Sequence, residues 1–121
     1  MAVVNQVDKI AKLSKKAAVQ FQILTHCFLS GIVLSSSELE CLTLLAESGE
    51  SDLNNFCINI HNKKIFKSAQ SARNAIAKAA KNSLVIKQGK SKKKIWVNPS
   101  LKVQTSGNVL LNYKFLALET K

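Results

Sequence analysis

The sequence predicts a mixed α+β fold of three or four helices followed by a β-hairpin and an extra C-terminal strand, and three observations carry that expectation. Ser35 and Glu38 form a capping box, apolar residues recur three and four apart between residues 17 and 81, and strand formers flank a glycine turn at 84–98. At 121 residues, 46% hydrophobic and 21% charged, the chain has the size and balance of one folded domain.

Residues 1–16 carry Lys9, Lys12, Lys15 and Lys16 with Val3, Val7 and Ile10 at helical spacing. They read as a basic N-terminal arm, either a frayed helix or a segment ordered by a partner. Phe21, Leu24 and Phe28 give a helix over 17–29 that Gly31 stops. A second helix starts at the capping box, where Leu34 and Leu39 are placed for a hydrophobic staple; its stripe is Leu39, Leu42, Leu45 and Ala46, and it ends near Gly49. A short helix over 52–60, capped by Ser51 or Asp52, breaks at His61-Asn62.

Ser68 caps a helix over 69–81, with Lys78 and Lys81 at its negative dipole end and Asn82 in the left-handed conformation to close it. The hairpin pairs 84–87 with 93–98, turns at 88–91 and is ended by Pro99. A second hairpin is expected between 102–104 and 109–118, turning at Ser106-Gly107-Asn108. In its last strand Leu111, Tyr113 and Phe115 share one face, while Leu110, Leu116 and Leu118 leave the other partly apolar. Such a strand calls for cover on both sides, from the N-terminal helices or from another subunit. The chain then divides into an arm 1–16, a domain 17–102 and a β extension 103–121.

The net charge of +11 is distributed unevenly. From Leu53 to Leu118 there is no acidic residue, whereas from Ala17 to Asn62 there is no basic one, and that stretch carries Glu38, Glu40, Glu47, Glu50 and Asp52. A polarised basic half suits a polyanion, since releasing counterions from phosphates supplies affinity without base readout. A solvated lysine surface kept for solubility is the plainer reading of the same pattern. A membrane surface fits poorly, because the lysines alternate with alanines and strand formers rather than lying opposite large apolar residues.

No run of 18 apolar residues and no secretory core occurs, so the expected location is cytoplasmic. Cys27, Cys41 and Cys57, spaced 14 and 16 apart, match neither a disulfide framework nor metal spacing, and are expected to be reduced and buried. His26 and His61 have no carboxylate partner nearby in sequence, and no phosphate-loop, HExxH or nucleophile-elbow motif is present. The expectation is a protein that is not an enzyme and takes no cofactor or metal.

The residues Phe66-Lys67-Ser68-Ala69-Gln70-Ser71-Ala72-Arg73-Asn74-Ala75-Ile76-Ala77-Lys78, followed by Lys81-Asn82-Ser83-Leu84-Val85-Ile86-Lys87, resemble the winged-helix family of replication initiators and transcriptional regulators. There, a polar recognition helix runs through a lysine-rich end into an apolar first wing strand. The resemblance covers about residues 34–99, with Asn82-Ser83 standing where the family commonly has glycine. It implies a non-catalytic DNA-binding protein whose last helix enters a groove and whose hairpin lies on the adjacent backbone.

On a helical wheel Ile76, Ala72, Ala79 and Ala80 form the inward side of that helix, and Gln70, Ser71, Asn74, Lys78 and Lys81 point outward. Gln and Asn suit an adenine edge and lysine suits guanine or phosphate. Arg73 stands at the border, able to reach a phosphate or to brace the domain. The wing lysines Lys87, Lys90, Lys92, Lys93 and Lys94 surround one glycine turn as an electrostatic finger, and Trp96 reads as core before base-stacking platform. The expected partner is nucleic acid, DNA before RNA. A second reading is a structural protein of a virus or phage particle or ring-like complex, a homo-oligomer in which the acidic 38–52 segment docks on the basic half of the next copy.

Overall fold

The computed structural model describes residues 2–11, 13–89, 93–105 and 109–117, which form four α-helices and two antiparallel sheets. In chain order these are strand β1 (Ala2–Ala11), helices α1 (Lys15–Ser30) and α2 (Ser36–Ser48), strand β2 (Ser51–Asp52), helices α3 (Leu53–Asn62) and α4 (Ala69–Lys81), and strands β3 (Val85–Gln88), β4 (Lys94–Val97) and β5 (Val109–Ala117). A 3₁₀ turn, Pro99–Leu101, follows β4.

Each helix starts at a side-chain cap. Ser14 Oγ accepts from the Ala17 N–H at 3.1 Å, and Asp52 Oδ2 accepts from the Asn55 N–H at 3.1 Å. At Ser35 the box is complete: its hydroxyl accepts from the Glu38 N–H at 3.1 Å, and its own N–H donates to Glu38 Oε1 at 2.8 Å. Leu34 and Leu39 are half-buried against the core, as a staple requires. Ser68 Oγ accepts from the Ser71 N–H at 3.0 Å, which fixes the start of α4. Gly31 ends α1 at φ 73°, while the Ile32 N–H reaches back to the Cys27 carbonyl at 2.8 Å.

The core draws on every helix: Val19, Ile23 and Cys27 from α1, Cys41, Leu42 and Leu45 from α2, Phe56, Cys57 and Ile60 from α3, and Ala72, Ile76 and Ala79 from α4. Leu84, Val85 and Ile95 close it from the hairpin. Each large aliphatic side chain so buried contributes roughly 1.5–3 kcal/mol of transfer free energy. The small Ala72 and Ala79 let α4 lie close to its neighbours while leaving its other side free. Thr43, the one buried polar residue among the described residues, donates to the Leu39 carbonyl at 2.7 Å. All three cysteines are free and buried, as the sequence predicts.

Strands β2, β4 and β3 form one sheet in that order, with Ser51 opposite Ile95 and Lys87 opposite Ile95 on the other side. Residues 51–52, read only as a helix cap, thus serve twice: Asp52 pairs with Lys94 and also caps α3. Strands β1 and β5 form a separate two-stranded ribbon, pairing Val7 with Tyr113 and Ile10 with Leu110.

Three expectations are corrected. Residues 2–11 are a strand, not a helix, because β5 supplies a partner ladder from the far end of the chain; Lys15 and Lys16 belong to α1 rather than to an arm. Among the described residues, 102–104 form no strand, and β5 pairs with β1 rather than with 102–104. Lys102 takes a left-handed φ of 53°, and Gln104 exchanges two hydrogen bonds of 2.7 Å with the Gln22 side chain, so this stretch is tied to α1 instead. Asn82 has φ −91°, and the left-handed residue is Ser83 at φ 63°. Asn98 holds that turn, its Nδ2 donating to the Ser83 carbonyl at 2.8 Å and its N–H to the Leu84 carbonyl at 2.9 Å. The expected turn at Ser106-Gly107-Asn108 lies outside the described residues.

Candidate nucleic-acid interface

With Ala72, Ile76 and Ala79 committed to the core, α4 leaves Gln70, Asn74, Lys78 and Lys81 exposed along its outer side. No acidic residue stands on the helix. Gln70 Nε2 donates to Asn74 Oδ1 at 3.0 Å, so the two amides suited to base edges are held together one turn apart. Each keeps donor capacity free in that arrangement.

Lys78 is engaged within the protein. Its Nζ lies 3.1 Å from Glu38 Oε2 and 3.2 Å from Oε1, joining the outer side of α4 to the first turn of α2. Partial burial works to raise the Glu38 carboxyl, but the Ser35 N–H, the Lys78 ammonium and the Ser35 hydroxyl outweigh it and hold the group below its ordinary value. Ser71 departs from its outward assignment: it is half-buried, with its hydroxyl 3.1 Å from that of Ser68, because the helix cap recruits it. The first turns of α2 and α4 open on a groove of about 280 Å³ lined by Ser35, Glu38, Phe66, Ser71, Asn74 and Lys78.

Arg73 is half-buried, and its charge, with that of Lys87, opposes the burial that raises the Cys57 thiol. Both cations therefore lie at the rim of the core, where α4 meets β3. Cys41 is pushed up to about 12, chiefly by burial, with electrostatic repulsion from the nearby Cys57 and Glu38 against its charged form adding to it. These thiols remain protonated at neutral pH. Lys93 and Lys94 are exposed beside the hairpin turn, where the Leu53 N–H at the start of α3 donates to the Lys93 carbonyl at 2.6 Å. Lys90 and Lys92 lie outside the described residues.

The turn between α3 and α4 adds cations that the outward-face argument passed over. Lys63, Lys64 and Lys67 are exposed there, with Lys64 at φ 63° and His61 Nδ1 3.2 Å from the Phe66 carbonyl. A shallow groove of about 310 Å³ runs along His61, Lys64, Ile65, Phe66 and Lys67. The signal for them was the run Lys63-Lys64-Ile65-Phe66-Lys67 itself, directly before the α4 cap. Trp96 is half-buried and lines a cavity of about 730 Å³ together with Leu45, Val97, Pro99, Lys102 and Val103.

Among the described residues no helix is long and apolar enough to cross a membrane, and no cluster of His, Cys, Asp and Glu is placed to hold a metal ion. The arrangement offers cations, amide donors and a helix N-terminus, which is the chemistry of phosphate and base-edge contact. No family model matches the chain, and neither a curated protein nor a solved structure does, so the placement of these side chains carries the functional argument alone.

Proposed function

We propose that this chain is a non-catalytic, nucleic-acid-binding protein of winged-helix type, acting on duplex DNA before RNA inside the cell. The carrying observation is the outer side of α4, with Gln70, Asn74, Lys78 and Lys81 exposed on a helix that has no acidic residue. The order α2, α3, α4 and then the β3–β4 hairpin supports the winged-helix reading, with α1 as a helix in front and β2 as a third strand. In this reading α4 enters the groove, Lys93 and Lys94 touch the adjacent backbone, and Lys63, Lys64 and Lys67 meet phosphates beside the α4 N-terminus.

Duplex DNA binding measured against salt tests it. Affinity is expected to fall along a straight log–log line, and replacing Lys93 and Lys94 with alanine should make that slope shallower by up to about 2 units. Binding that is undetectable at low salt, or that ignores salt, would overturn the reading.

A further inference from the structure

Helix α1 is apolar on two opposite sides. Val19, Ile23 and Cys27 are buried on one, while Phe21, Leu24 and Phe28, at the same helical spacing, stand on the other. Phe28 is 81% exposed, Leu29 78%, Val33 83% and Leu24 50%. After Lys16 the chain carries no Asp, Glu, Lys or Arg until Glu38, so this side holds no such charge. The side chains concerned expose on the order of 600 Å², at the upper end of what monomers leave bare and most of one partner's share of a standard interface.

We propose that this side of α1 is a homodimer interface, with α1 of one copy packed antiparallel on α1 of a second about a two-fold axis near Thr25. The charge distribution selects the occupant. On a chain of net charge +11, two copies repel wherever their basic surfaces approach, and the α1 side is an uncharged apolar surface on which they can meet. An isologous contact needs a surface that tolerates itself, and a patch of Phe, Leu, Val and Thr does. This inference stands independently of nucleic-acid binding.

The test is mass by light scattering and sedimentation, on the full chain without nucleic acid. A dimer is expected at micromolar concentration, held or strengthened as salt rises, the opposite of the salt response of phosphate binding. Phe28→Glu, occurring twice in the symmetric contact, should weaken association by about 100-fold or more, with Leu29→Glu as a second variant and circular dichroism to check folding. Thr25→Cys should cross-link to its own copy under mild oxidation, while Lys81→Cys should not, because facing positions of packed helices meet disulfide spacing. A monomer at all concentrations, head-to-tail growth beyond two copies, or a dimer indifferent to Phe28→Glu in folded protein would each overturn the proposal.

Discussion

Helices α1 and α4 both turn one side to the core and one side outward, with opposite chemistry. On α1 the outward side is Phe21, Leu24 and Phe28, without charge; on α4 it is Gln70, Asn74, Lys78 and Lys81. On α4 the inward side is small, with Ala72 and Ala79 flanking a single Ile76, whereas α1 fills its inward side with Val19, Ile23 and Cys27. The difference separates two kinds of exposed surface. A hydrated cationic side stays soluble until a polyanion displaces its counterions. An apolar side carries a standing cost in water that only a second apolar surface removes.

The largest expected effect tests whether the two sides of α1 differ as described. Ile23→Ala, fully buried, should lower unfolding free energy by about 2–5 kcal/mol, as large-to-small changes do in packed cores. Phe28→Ala removes a larger side chain yet should change monomer stability by no more than about 0.5 kcal/mol, as surface substitutions do. Urea titration at a concentration below the dimer range measures both. Equal losses would mean that Phe28 is packed within its own chain, and the contrast with α4 would disappear.

Much of this arrangement was legible because caps are local chemistry. Ser35 with Glu38, Ser68 and Gly31 fix helix ends through hydrogen bonds spanning only a few residues, and a sequence shows those directly. The ribbon was not legible. Val3, Val7 and Ile10 fit a helix as well as a strand, and what decides between them is β5, at the other end of the chain. Gln104 was likewise misplaced because its partner, Gln22, is 82 positions away. Ser83 takes the left-handed position expected for Asn82, and Asn98, 15 residues on, donates its Nδ2 hydrogen to the Ser83 carbonyl. In the site, helical periodicity identified Gln70, Asn74, Lys78 and Lys81 as outward but misplaced Ser71, and it gave no hint that Lys78 would be paired with a glutamate 40 positions earlier.

A smaller effect tests the α4 side. Asn74→Ala should cost roughly 1–3 kcal/mol of affinity on a preferred duplex and little on an arbitrary one, because an amide pair is lost only where the matching base is present. Since Asn74 is exposed, the melting temperature should hardly move. Competition between a selected and a scrambled duplex measures the difference. Equal losses on both would assign Asn74 to backbone contact, and no loss on either would remove it from the interface.

The smallest effect concerns the ion pair that joins the two halves of the molecule, Glu38 of α2 and Lys78 of α4. Glu38→Gln preserves an oxygen to accept the Ser35 N–H, so the helix cap survives, but the charge that engages Lys78 is lost. The expected stability loss at neutral pH is at most about 1 kcal/mol. Its pH dependence has a definite sign. The folded-state carboxyl lies below its ordinary value, so its stabilisation is present in full above about pH 4.3 and fades as pH falls through the lower folded value. Stability curves of the native chain and of Glu38→Gln should therefore differ near neutrality and converge in acid. Released from Glu38, Lys78 becomes available to a phosphate, so the variant should bind duplex DNA a few-fold more tightly, with a salt slope steeper by up to about 1 unit. A slope unchanged in Glu38→Gln would place Lys78 away from the phosphates, and with it the C-terminal half of the α4 side.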